Sequence, residues 1–120
     1  MPVKFFTIEE ANRMIPLLRR ILEEIRSKRR EAFEKQLLLE ESLKMVWKGE
    51  APAIKGFFQL KEEVEFILEE IQEKLNTVDN CGCILKDAEK GLVDFPALIK
   101  GKEVYLCWQI DEERISYWHT

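Results

Sequence analysis

The stretch Leu17–Lys48, LLRRILEEIRSKRREAFEKQLLLEESLKMVWK, decides the fold of this 120-residue chain. It contains neither Gly nor Pro, so nothing within it stops a helix. Leu18, Ile21, Leu22, Ile25, Ala32, Phe33, Leu39, Leu43 and Val46 recur at roughly three- and four-residue steps, the spacing of one helical face. The stripe has a polar gap around Lys28 and Arg29. Gly49-Glu50-Ala51-Pro52 then ends the segment, with Gly as the stop signal and Pro just beyond it.

Upstream, Thr7-Ile8-Glu9-Glu10 has the pattern of a capping box. The Thr7 hydroxyl can accept from the Glu10 N–H while the Glu10 carboxylate reaches back to the Thr7 N–H. Pro16 lacks an N–H and its ring clashes with the preceding turn. Either the helix kinks there or a short N-terminal helix ends near Met14 and a second begins, and the favoured reading is a short N-terminal helix leading into the long one. Downstream, Leu60, Val64, Ile67, Leu68, Ile71 and Leu75 repeat in near-heptad register among Glu, Lys and Gln. They predict a second long helix from about Ile54 or Phe57 to Asn76. Two long helices joined by a short loop pack antiparallel.

The pattern changes at Thr77-Val78-Asp79-Asn80, beyond which glycines punctuate short apolar runs. Cys83-Ile84-Leu85, Leu92-Val93-Asp94-Phe95 (broken by Pro96), Val104-Tyr105-Leu106-Cys107-Trp108 and Ile115-Ser116-Tyr117-Trp118-His119 are four candidate strands. Lys100-Gly101-Lys102 and Asp111-Glu112-Glu113-Arg114 read as turns between them. The fold class is therefore α+β: a long antiparallel helical hairpin with a short N-terminal helix (1–78), then a small antiparallel C-terminal β-meander (79–120). The length suits one domain.

Composition narrows the function classes. An apolar fraction of 46% argues against disorder. The net charge is −4, whereas nucleic-acid binding favours a basic domain or stripe. The basic cluster Lys28-Arg29-Arg30, with Arg19, Arg20 and Arg26 upstream, is interleaved with Glu23, Glu24, Glu31 and Glu34. It reads as a salt-bridged helix surface, so a nucleic-acid partner is not expected. No segment approaches the ~20 apolar residues of a membrane span. Met1-Pro2-Val3-Lys4 lacks the apolar core of a signal peptide. Three cysteines without disulfide-framework spacing fit a reducing compartment. A cytoplasmic protein is expected.

No Gly-rich phosphate loop, nucleophile elbow or His-Glu-x-x-His helix is present. Cys81-Gly82-Cys83, completed by Cys107 and His119, offers a soft-metal set, but paired structural zinc ligands normally have two to four residues between them. The simpler reading makes Cys83 a small buried residue. Alternation on the third strand points Val104, Leu106 and Trp108 one way, and Tyr105 and Cys107 the other. Asp94 lies between Val93 and Phe95, and a buried carboxylate there needs a partner. The partner could be a helix arginine, turn N–H groups or a ligand. His119 is the chain's one histidine, and it follows the aromatic pair Tyr117-Trp118. Trp47, Trp108 and Trp118 read as core or dimer contacts, although each could stack on a ligand.

Phe6-Thr7-Ile8-Glu9-Glu10-Ala11-Asn12 with Ile15-Pro16-Leu17-Leu18 resembles the start of an uncharacterised bacterial family catalogued as domain of unknown function 2203. The later residues resemble its C-terminal signature: Lys86-Asp87, then Gly91-Leu92-Val93-Asp94-Phe95-Pro96-Ala97, then Leu106-Cys107-Trp108, Glu112 and Trp118-His119. The resemblance implies a cytosolic, stand-alone domain and transfers no activity, cofactor or catalytic residue. It also implies a glycine-rich tail with an arginine beyond the histidine, where this sequence ends at Thr120. Relatives tend to have Gly at the position of Asp111 and an aliphatic residue at that of Cys83.

Two functions follow as expectations. The first is a binding or interaction module that forms a homodimer through the hairpin, because a lone hairpin exposes part of each apolar stripe. The second is a small-molecule or metal site on the meander, with a hydrolytic centre as one form of it. Asp94, Glu112 and His119 would be its ligands, and Trp108 and Trp118 its apolar walls.

Overall fold

Thr7 and Glu10 cap the first helix as their spacing predicts. The Thr7 N–H donates to Glu10 Oε1 and the Glu10 N–H to Thr7 Oγ1, each at 3.1 Å. The bond from the Thr7 N–H also holds the Glu10 carboxyl below its ordinary pKa. The computed structural model describes residues 4–49 and 51–120, with residues 51–53 described by backbone alone.

Helix α1 (Ile8–Trp47) is one 40-residue element with Pro16 inside it, so the expected short N-terminal helix is corrected. The proline costs about 3 kcal/mol in a helix interior. Pro16 is exposed, on a side where water can serve the carbonyl that the proline leaves without a donor. Ile15, Leu18, Leu22 and Ile25 on the opposite side are fully buried, at roughly 1.5–3 kcal/mol each. Burial outweighs the local penalty.

Helix α2 (Ala51–Asn80) is longer at both ends than its apolar repeat suggests. Pro52 stands in its first turn, where no intrahelical N–H is needed. Its end is set by Gly82, whose φ of +89° is a left-handed stop. The Cys81 N–H still donates to the Thr77 carbonyl at 3.2 Å. Of the expected break between the helices, Glu50 lies outside the described residues, as do Met1, Pro2 and Val3.

Strands β1 (Ile84–Asp87), β2 (Leu92–Ile99), β3 (Lys102–Gln109) and β4 (Tyr117–His119) form one antiparallel sheet in the order β1-β2-β3-β4. This is the expected meander. The turn between β2 and β3 has positive φ at both Lys100 (+53°) and Gly101 (+79°), which gives the two-residue connection a twist that matches the strands. Pro96 was expected to break β2 but lies within it. In an antiparallel strand a residue's N–H and C=O point to the same side. The Pro96 carbonyl accepts from the Phe6 N–H at 2.7 Å, outside the ladder to β3. The missing N–H is therefore on that side too and removes nothing from the β2–β3 pairing.

The chain divides into two compact units, Met1–Arg26 with Lys74–Thr120, and Ser27–Glu73. In the first, Val93, Phe95 and Ala97 on β2 pair with Trp108, Leu106 and Val104 on β3. All six are buried, and by alternation they share one face. Phe6 meets Phe95 edge to face at 5.2 Å, and Ala11, Ile15, Leu18, Ile21, Leu22, Ile25, Val78, Cys83 and Ile110 are buried in the same unit. In the second unit Ala32, Val64, Ile67 and Ile71 are buried. Lys28 reaches Glu70 at 3.2 Å and Lys35 reaches Glu63 at 2.9 Å. As one partner advances the other recedes, which makes this segment an antiparallel hairpin. No helix among the described residues is long and apolar enough to cross a membrane.

Candidate functional site

Asp94 is the one buried charged side chain among the described residues, 2% exposed. It sits on the face of β2 opposite Val93 and Phe95, and its cross-strand neighbours are Ile84 on β1 and Cys107 on β3. Beyond Cys107 in the same row is Tyr117 on β4. The next row runs from Pro96 through Tyr105 to His119. Strand alternation thus places Asp94, Tyr105, Cys107, Tyr117 and His119 together on the outer face.

The carboxylate is satisfied by side chains of three other strands. His119 Nε2 is 3.2 Å from Asp94 Oδ2, and Lys86 Nζ is 3.8 Å from the same oxygen. The Cys107 thiol donates to Asp94 as well. Lys86 is aimed there by a break in the register of β1 between Leu85 and Asp87, the re-aiming that a bulge produces. The imidazole of His119 stacks on Tyr105, with ring centroids 5.5 Å apart. A tautomer with hydrogen on Nε2 fits the bond to the carboxylate and leaves Nδ1 outward as an acceptor.

Burial, and then the Asp94 charge, push the Cys107 thiol above its usual pKa. A thiol so placed is a poor nucleophile, which argues against Cys107 as the attacking group of a hydrolase. The Asp94→Asn variant removes the charge while keeping the shape. It is expected to raise the alkylation rate of Cys107 by iodoacetamide at pH 8 by about three- to tenfold. Peptide mass spectrometry resolves this site from the others. Cys83 is buried with its pKa pushed up to about 12, and should stay unlabelled in both proteins.

The remaining expected site residues lie elsewhere. Trp108 is fully buried on the core face, and its indole Nε1–H donates to the Glu112 carbonyl at 2.9 Å. Glu112 closes the turn after β3, where its carboxylate accepts from the Gln109 N–H at 2.8 Å. Trp118 pairs with Leu106 on β3, hence on the face opposite His119, and is 56% exposed. The structure brings Asp94 and His119 together and gives Trp108 and Glu112 a shared structural knot. Among the described residues no group of three or more His, Cys, Asp or Glu is arranged to hold a metal ion. Cys83 donates its thiol to the Val78 carbonyl at 3.5 Å.

Several residues on which this arrangement depends escaped the sequence reading. Arg19 was read with a charged helix surface. Instead it donates from Nε to the Ile110 carbonyl (3.3 Å) and from Nη2 to the Glu112 carbonyl (2.8 Å), and its guanidinium lies 5.8 Å from the Trp108 ring. Arg26 likewise binds the Glu89 carbonyl. Asn12 accepts from the Ile115 N–H at 3.0 Å. These are side-chain bonds to turn carbonyls and amides, which composition does not signal. The outward aim of Tyr105 and Cys107 was readable from strand alternation.

Comparison with curated proteins and with solved structures returned no match. Residues 4–120 match the model of the family described as "Uncharacterized conserved protein (DUF2203)". The match takes in the capped start of α1, both helices and every strand that carries the Asp94–His119 pair, and the chain belongs to this family.

Proposed function

We propose that this chain is an interaction module that self-associates into a dimer through the helical segment Ser27–Glu73. One observation carries the reading: the large apolar side chains that this segment exposes. Phe33, Phe58 and Phe66 are 64%, 55% and 63% exposed, and Trp47 is 82% exposed. Single exposed apolar residues are ordinary, but this density on one hairpin marks an interaction surface. Phe66 lies in a groove flanked by the Lys28–Glu70 and Lys35–Glu63 pairs, so an apolar anchor there has a polar rim.

Charge favours a second copy as the occupant. Beside the Lys28–Glu70 pair within one chain, Arg30 keeps this turn of α1 basic, while Glu62, Glu65 and Glu69 keep α2 acidic. A twofold axis sets the basic turn of each copy against the acidic stretch of the other, and one patch serves both sides. Two hairpins then form a four-helix arrangement. The free thiols Cys81, Cys83 and Cys107 suit a reducing, cytoplasmic setting. The double variant Phe33→Glu/Leu37→Glu is expected to elute as a 14.3 kDa species in light-scattering chromatography, with helical circular dichroism retained. A variant that elutes with the wild type as a dimer would remove α1 from the interface.

A second reading rests on a different observation, the buried Asp94 with its half-exposed histidine partner. It makes the outer face of the sheet a small-ligand site.

A further inference from the structure

Hydrogen-bonding groups on the outer face of the sheet are sorted by depth. The acceptor is underneath: the Asp94 side chain is 2% exposed, and His119, Lys86 and Cys107 all turn toward it. The exposed groups nearest to it, Lys86 and His119, can donate, and the exposed carboxylate of Glu103 lies on the same face of β3 beyond Tyr105. Lys86 and His119 are each about half exposed. An ammonium carries three N–H groups, and Asp94 takes at most one of them. The imidazole uses Nε2 on Asp94, and its Nδ1 has no hydrogen-bond partner among the described residues. The exposed phenol of Tyr117 and the half-buried one of Tyr105 border the same patch.

Two half-exposed nitrogen groups held beside one buried carboxylate are complementary to an acceptor-rich ligand. We propose that this face seats a small oxyanion, the carboxylate or phosphate group of a metabolite-sized molecule, between Lys86 Nζ and His119 Nδ1. This rests on the second reading of function above and names its ligand chemistry. Asp94 is the positioning residue: its Oδ2 holds Lys86 Nζ and His119 Nε2, and the contact at Nε2 turns the other ring nitrogen, Nδ1, away from the carboxylate. The ring faces the anion through Nδ1 while Nε2 stays on Asp94. Groups on all four strands set the charge there. Lys86 comes from β1, Asp94 from β2, Glu103, Tyr105 and Cys107 from β3, and Tyr117 from β4. Charge-assisted bonds of this kind, both partly in water, give affinities in the millimolar range. Tyr105 and Tyr117 are aromatic surfaces for the rest of the ligand.

The test uses the chain's single histidine, whose ring proton signals report this one site by NMR. Inorganic phosphate, acetate and tetramethylammonium chloride are titrated separately into the full chain at fixed pH and ionic strength. Saturable shifts of the His119 signals with phosphate or acetate are expected, with Kd raised at least about fivefold in Lys86→Met. Lys86 is on the surface, and the amide spectrum verifies that the variant is folded. Anion binding that is undiminished in Lys86→Met overturns the proposal. Saturation by tetramethylammonium alone overturns the oxyanion chemistry and leaves the ligand-site reading standing. No saturation by any of the three up to about 50 mM removes both.

Discussion

Trp108→Ala is expected to cost about 3–5 kcal/mol, the largest effect of any single substitution considered for this chain. Trp108 is the largest of the fully buried side chains. It stands opposite Val93 on β2 and under the guanidinium of Arg19. Truncation leaves a cavity bounded by well-packed strands that can relax only partly. A domain of this size keeps roughly 5–15 kcal/mol in total, so the loss should lower Tm by about 10–20 °C. Trp108→Phe separates the two contributions of the side chain. It keeps much of the apolar volume and loses the indole N–H bond to the Glu112 carbonyl. That carbonyl retains the Arg19 bond, so the hydrogen-bond part should be about 1 kcal/mol. Thermal melts of the two variants should fall in that order. Equal losses would show that the hydrogen bond, and not the packing, carries Trp108.

Gly91→Ala should be nearly as damaging although it adds one carbon. Gly91 has φ +68°, where a Cβ costs about 1–2 kcal/mol. A Cβ there would also lie 2.6 Å from both Cβ and Cγ2 of Ile110. Ile110 is buried, and its N–H donates to the Gly91 carbonyl at 2.9 Å. The isoleucine therefore cannot swing away without breaking the bond that joins the β1–β2 turn to the end of β3. Overpacking of this kind adds about 1–3 kcal/mol, for roughly 2–5 kcal/mol together. Gly101→Ala is the control. Its φ is +79°, but nothing lies within 4 Å of an added Cβ, so only the conformational part should appear. Chemical denaturation of both variants tests the difference. Equal losses at the two glycines would mean that the contact with Ile110 is relieved at no cost.

What was legible in the sequence was local. The capping box at Thr7 needs only residues three apart, and the helical stripe needs only its own period. Strand alternation correctly set Trp108 and Leu106 against Cys107 and Tyr105. Both prolines were misread for one reason. Their penalties are local, while the burial of Ile15 and Leu18 and the acceptance of the Phe6 N–H by the Pro96 carbonyl depend on distant parts of the chain. The end of α2 was placed early because polar Thr77, Asp79 and Asn80 surround Val78, which is fully buried.

The candidate site was half legible. Asp94 stood out as a charge in an apolar strand, and His119 as the one imidazole in the chain. Their pairing joins residues 25 apart in sequence and depends on β4 lying beside β3. Lys86 belongs to the residues that carry the family resemblance, but its place beside Asp94 was not legible, because its aim depends on the irregular register of β1. Glu112 and Trp108 were singled out for chemistry, but nothing near them in sequence points to Arg19, which binds the carbonyls of Ile110 and Glu112 from 91 and 93 residues upstream.

Self-association of the hairpin is the claim on which the proposed function stands, and sedimentation equilibrium of the wild-type chain tests it most directly. Between about 1 and 100 µM the chain is expected to shift toward a species of twice its 14.3 kDa mass. A single 14.3 kDa species across that whole range would contradict it.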